Sequence, residues 1–111
     1  MELDQFIKRA LEIREKLIEF EKETYGREWN NLNLVSGFVT DAGDLMRIAT
    51  AKDGLRNMES VDERLSEQLS DCFWPILIIA QKYNINIEKS FLRAMDKIER
   101  RLSGDLYGNK Q

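Results

Sequence analysis

Four carboxylates and one amide are the residues whose spacing in this chain could do chemistry. Asp41 and Asp44 stand three apart in Val39-Thr40-Asp41-Ala42-Gly43-Asp44-Leu45, and Asp71 follows Glu67 by four positions and Gln68 by three. On a helix, residues at those spacings share a face. Each stretch therefore presents an acidic pair along one side, while Val39, Ala42 and Leu45 keep the first stretch compatible with packing. Two such pairs on facing helices supply the oxygen donors that hold a hard cation such as Mg²⁺, with Mn²⁺ as a substitute. The chain contains no histidine and one cysteine, Cys72. That excludes Ser-His and Cys-His nucleophiles, a histidine base, an intrachain disulfide and a cysteine zinc site. Any catalysis must run on carboxylates, lysine, hydroxyls and a bound metal.

Helices must position these groups. Phe6, Ile7, Ala10, Leu11, Ile13, Leu17, Ile18 and Phe20 recur at helical spacing from about Leu3 to Thr24, and Tyr25-Gly26 stops that helix. A polar loop, Arg27 to Asn33, follows. Its Trp29 reads either as a connector closing the end of the core or as an aromatic rim contact for a nucleobase, with asparagine amides beside it. A second helix begins at Leu32 or Leu34 and runs to Ala51. Gly43 lies inside it between the two aspartates, a position that predicts a close backbone approach. Ser60-Val61-Asp62-Glu63 has the pattern of a capping box, predicting a third helix to about Tyr83. Pro75 falls within that helix and removes the N–H that would bond the Asp71 carbonyl. Asn86 then caps a last helix lined by Ile87, Phe91, Ala94, Met95, Ile98 and Leu102 and ended by Ser103-Gly104. Residues 105–111 read as a loose tail after one domain over 1–104.

Composition agrees with a helical globular protein: 111 residues, 42% hydrophobic and 33% charged, with one proline. A net charge of −3 gives no reason to expect a nucleic-acid polymer as partner. The longest apolar run, Phe73 to Ala80, is too short to span a bilayer, and the N-terminus lacks the plan of a signal peptide. The expected address is cytoplasmic, with no membrane contact.

The order of parts resembles the MazG-like nucleoside triphosphate pyrophosphohydrolases of the all-α NTP pyrophosphatase superfamily. That family sets a Glu-x-x-Glu pair on one helix and a Glu-x-x-Asp pair on a later one. Here Thr40 to Leu45 (TDAGDL) lies over the first, and Ser66 to Trp74 (SEQLSDCFW) over the second, with 23 residues between Asp44 and Gln68. The stretch Ala80 to Arg101 is similar to the family's last helix, so the likeness runs from Trp29 to Arg101. It departs at the motif itself. Asp41 and Asp44 are each one methylene shorter than glutamate, and Gln68 brings an oxygen without charge. Glu67 is turned about 100° from Gln68 round the helix. Of the family's Lys-Asn pair only Lys97 carries over, since Ile98 follows it.

The resemblance implies an antiparallel four-helix bundle, assembled as a homodimer or tetramer, that cleaves an NTP or dNTP to the monophosphate and pyrophosphate. Asp41, Asp44, Gln68 and Asp71 would hold Mg²⁺, and Glu67 would assist or act as base. Lys97 and Arg101 would counter phosphate charge. Trp29, Asn31 and Asn33 would contact the nucleobase, by position. The altered motif also fits a catalytically impaired relative that binds nucleotide or serves as a helical assembly module. Read without the resemblance, the acidic pairs are solvated faces or ion-pair partners, and Lys97, Arg100 and Arg101 answer the dipole of a helix C-terminus. Cys72 and Trp74 read as core or interface.

Overall fold

The apolar spacing produces four helices and, among residues 2–104 that the computed structural model describes, no strand. They are α1 (Leu3–Tyr25), α2 (Asn31–Lys52), α3 (Val61–Lys82) and α4 (Ile87–Leu102). The all-α class and the helix order are those expected. The tail at 105–111 lies outside the described residues.

Local chemistry sets most of the boundaries. Gly26 takes the left-handed conformation (φ 81°) and its N–H donates to the Lys22 carbonyl, closing α1. Asn86 accepts from the Lys89 N–H at 3.0 Å and opens α4. α2 starts earlier than expected, because Asn30 and Asn33 form a reciprocal capping box at 2.8 and 3.0 Å. The expected box at Ser60 does not form: Ser60 is left-handed (φ 54°) and its hydroxyl makes no cap hydrogen bond. Capping needs an extended backbone at that residue to aim the side chain at the next turn.

Gly43 also departs from expectation. A methyl group built there meets nothing within 4 Å, so no backbone approaches it. Gly43→Ala is therefore expected to stabilise the protein by up to about 1 kcal/mol, the helix-propensity difference alone. Thermal unfolding would check it. A lower melting temperature would mean that something else occupies that space.

α2 and α3 pack side by side and antiparallel. Lys52 bonds Asp62 at 2.6 Å at one end, Gln68 bonds the Asp41 carbonyl in the middle, and Leu34 packs beside Leu77 and Ile78 at the other. α1 lies against a shorter part of α3, where Ala10 meets Leu77 and Ile78, with Leu3, Ile7, Trp74 and Ile87 around them. α4 buries none of its residues. Only its first residue, Ile87, packs on this core. The radius of gyration, 18.0 Å, is well above the roughly 13 Å of a compact chain of 100 residues. The bundle is thus three packed helices with the fourth standing away.

Candidate functional site

The antiparallel pairing of α2 and α3 brings the two acidic stretches together. Gln68 is buried at this seam, and its side-chain N–H donates to the Asp41 backbone carbonyl at 2.9 Å. That bond reaches across the helices at the level of both pairs and leaves the Gln68 carbonyl oxygen as a remaining acceptor. Asp41 and Asp44 are partly buried, while Asp71 and Glu67 are exposed on α3.

Two groups register the convergence. Burial pushes the Asp41 carboxyl above its ordinary value, the Asp71 charge pushes it further, Gln68 draws it back and Asp44 adds a smaller push. The Cys72 thiol moves up for the same reasons: burial first, then Asp41, with Gln68 opposing and Asp71 and Asp44 contributing. Three carboxylates therefore act on one small region between α2 and α3. Among the described ion pairs, one reaches these carboxylates: Arg47 lies 3.8 Å from Asp44. The upward shift disfavours the Cys72 thiolate, the nucleophilic form.

The donor set suits a hard cation, being all oxygen and threefold negative when ionised. The side chains do not form a closed cage, however. Among the described residues no group of three or more His, Cys, Asp or Glu lies close enough to share one ion. The aspartates feel one another's charge without converging to ligand distance, as their short side chains lead one to expect.

The other expected contacts are spread more widely. Ten residues of α2, about 15 Å at 1.5 Å per residue, separate Asn31 from Asp41. Asn31 lines a polar hollow with Glu28, Trp29, Asn30, Leu32 and Lys82. The Asn33 side-chain oxygen is occupied, accepting from the Asn30 N–H and from Arg27 at 3.3 Å. Lys97 and Arg101 sit on α4, away from the packed helices, and Lys97 makes no ion pair among the described residues. The structure thus brings Asp41, Asp44, Gln68 and Asp71 together and leaves the cations and the aromatic rim apart from them.

A second polar centre escaped the sequence reading. Arg14 and Glu21, one turn apart twice over on α1, are both nearly fully buried and pair through two bonds of 2.7 and 3.1 Å. Glu21 also accepts the Trp29 N–H at 2.8 Å, and Arg14 reaches the Trp29 carbonyl at 3.5 Å. This pair fixes the loop that carries Trp29, whose ring lies 6.4 Å from that of Tyr25. Lys82, which pairs with Glu28 at 3.7 Å, is the one cation among the described residues lining the polar hollow.

No protein-family model, curated protein or solved structure matches the chain. No helix among the described residues is long and apolar enough to cross a membrane.

Proposed function

We propose that this chain is a Mg²⁺-dependent nucleotide pyrophosphohydrolase that cleaves an NTP or dNTP to the monophosphate and pyrophosphate, working as a homo-oligomer. The observation that supports it is the concentration of Asp41, Asp44 and Asp71 around Gln68 on two antiparallel helices, where burial first, and then the charges of Asp71 and Asp44, raise the Asp41 pKa. Repulsion of this kind is the state a divalent cation relieves, and perturbed carboxylates cluster at functional sites.

Asp41, Asp44, Asp71 and the Gln68 oxygen would hold the ion. Bound there, Mg²⁺ or Mn²⁺ supplies charge neutralisation for phosphate oxygens and acidifies a water. The three aspartates must close by side-chain rotation for this to happen. Glu67, exposed beside Asp71, takes the proton of the attacking water. Trp29 presents an aromatic face and Asn31 an uncommitted amide at the polar hollow, about 15 Å along α2 from the carboxylates. Asn33, already bonded twice, holds the loop in shape and leaves base contacts to these two. Lys97 and Arg101 reach the phosphates only if an α4 is brought to the site.

A second reading has its own support. The open cage and the remote α4 favour a relative that binds nucleotide without cleaving it, or one that only assembles. Pyrophosphate release from a panel of NTPs and dNTPs, with Mg²⁺ or Mn²⁺, separates these. Release is expected, and Asp71→Ala is expected to lower it by at least about a hundredfold, since even outer-shell partners of a metal are worth 10–100-fold. No release, but a higher melting temperature with nucleotide, would establish the binding protein. No response to metal or nucleotide would leave the assembly module.

A further inference from the structure

The polar hollow beside Trp29 offers more than an aromatic face. Glu28, Trp29, Asn30, Asn31, Leu32 and Lys82 border a space of about 510 Å³ there, within the range of small-molecule pockets. Its aromatic wall is fixed before any ligand arrives. The Trp29 N–H donates to the buried Glu21 carboxylate at 2.8 Å, Arg14 donates to the Trp29 carbonyl at 3.5 Å, and the next residue, Asn30, caps α2. Trp29 is 38% exposed, so its ring is partly open to stacking.

Two opposite charges stand at the same hollow. The Lys82 ammonium lies 3.7 Å from a Glu28 carboxylate oxygen, too far for a hydrogen bond. Neither side chain makes a hydrogen bond among the described residues. Glu28 therefore keeps both oxygens as acceptors, and Lys82 keeps its three donors. Their side chains are 40% and 34% exposed, and an ion pair in that setting adds little to stability. Folding asks little of these two charges, which leaves them available to a ligand.

The bases differ in what they show such a pair. The Watson–Crick edge of guanine carries O6, N1–H and the 2-amino group in that order: one acceptor, then two donors side by side. A carboxylate takes both donors in a bidentate pair, while an ammonium next to it serves O6. Adenine and cytosine set one exocyclic amine beside a ring-nitrogen acceptor, so a carboxylate gains a single bond. Uracil and thymine hold their one N–H between two carbonyls, and a carboxylate there meets a second acceptor.

We propose that this hollow reads guanine: Glu28 accepts from N1–H and the 2-amino group, Lys82 donates to O6, and the base stacks on Trp29. The inference rests on the hollow being the base contact of the proposed nucleotide site, and it narrows the substrate to GTP or dGTP.

Equilibrium dialysis of the full chain against nucleoside 5′-monophosphates, without metal, tests the base contact apart from the reaction. A monophosphate has no pyrophosphate to release, and its phosphate contributes alike for every base and cancels in the ratios. GMP is expected to bind at least about fivefold more tightly than AMP, CMP or UMP, the smallest step that a bidentate base contact gives. IMP, which lacks only the 2-amino group, should lose most of that advantage. Glu28→Gln, at an exposed side chain, should bring GMP down to the level of AMP and leave AMP and the melting temperature nearly unmoved. No binding of GMP, GMP no tighter than the other three, IMP equal to GMP, or a preference that survives Glu28→Gln would each overturn the guanine reading. Pyrophosphate release from all triphosphates alike would also overturn it and leave the proposed reaction standing. A GMP preference with no release from any triphosphate would keep this site and remove the reaction instead.

Discussion

Arg14→Ala is expected to cost about 3–5 kcal/mol of stability, the penalty for leaving a buried charge without its partner. A chain of this size loses roughly 4 °C or more of melting temperature per kcal/mol, so the midpoint should fall by about 12 °C or more. Arg14 and Glu21 are each less than 5% exposed, and their two short bonds are supplemented by both backbone groups of Trp29. Alanine at Arg14 strands the Glu21 carboxylate beneath the loop it anchors. Replacing both partners by apolar residues, Arg14→Met with Glu21→Leu, should cost less, because no charge remains to desolvate. It still leaves the Trp29 N–H without an acceptor, worth about 1–3 kcal/mol when buried. The double variant should therefore unfold between the wild type and Arg14→Ala in urea. A cost below about 1 kcal/mol for Arg14→Ala would mean that water reaches the pair.

The same pair sets a pH dependence with a definite sign. Burial alone would raise the Glu21 pKa, but the Arg14 bond, the Trp29 N–H and the charges of Arg14 and Lys82 together take it below the ordinary 4.5. A carboxyl whose pKa is lower in the folded chain contributes stability that is complete above 4.5 and lost as the pH falls through the folded value. Acid unfolding should therefore be steeper for the wild type than for Glu21→Gln. Equal slopes would detach the pair from acid unfolding.

How far the sequence foretold the structure depended on the range of each signal. Gly26 and Asn86 act within one turn, and both end or begin a helix where their types require. Ser60 carries the right residues for a box, yet its backbone is set by the turn before it, which composition does not encode. The Asn30–Asn33 box lay in a stretch read as loop, although both residues were there to see. Arg14 and Glu21 are seven apart, beyond the three- and four-residue spacings that reveal local ion pairs. A charge that will be buried looks the same in sequence as one that stays in water. The acidic stretches were visible as faces, and antiparallel packing of α2 on α3 set them opposite each other. Whether three short side chains meet at ligand distance depends on rotamers that no spacing rule fixes. The apolar face of α4 was equally visible. Periodicity says that such a face needs a cover and is silent on which surface, and which copy, supplies it.

Asp41→Asn should move stability and metal response in opposite directions. Burial and the charges of Asp71 and Asp44 hold the Asp41 pKa above its ordinary 3.8. Between that value and the raised one the folded chain binds a proton that the unfolded chain has released. Without metal, stability is therefore lost as the pH rises through this window and is not regained above it. Asparagine keeps the shape and removes the charge. The metal-free variant should match the wild type near pH 3.8 and melt at a higher temperature at neutral pH. On the proposed function, a divalent cation would reverse the ranking. Bound to the ionised cluster it would stabilise the folded chain by mass action, so Mg²⁺ or Mn²⁺ should raise the melting temperature of the wild type and leave Asp41→Asn almost unmoved. Pyrophosphate release should fall at least about a hundredfold with it. Melting curves at acid and neutral pH, with and without metal, supply all four comparisons. A variant that melts lower than the wild type at neutral pH without metal would show that the Asp41 charge helps hold α2 to α3. One that keeps the full metal shift would place the ion elsewhere. The expected crossing, higher alone and lower with metal, is what the proposed site would give, because burial and the neighbouring charges both disfavour the Asp41 carboxylate until a cation offsets them.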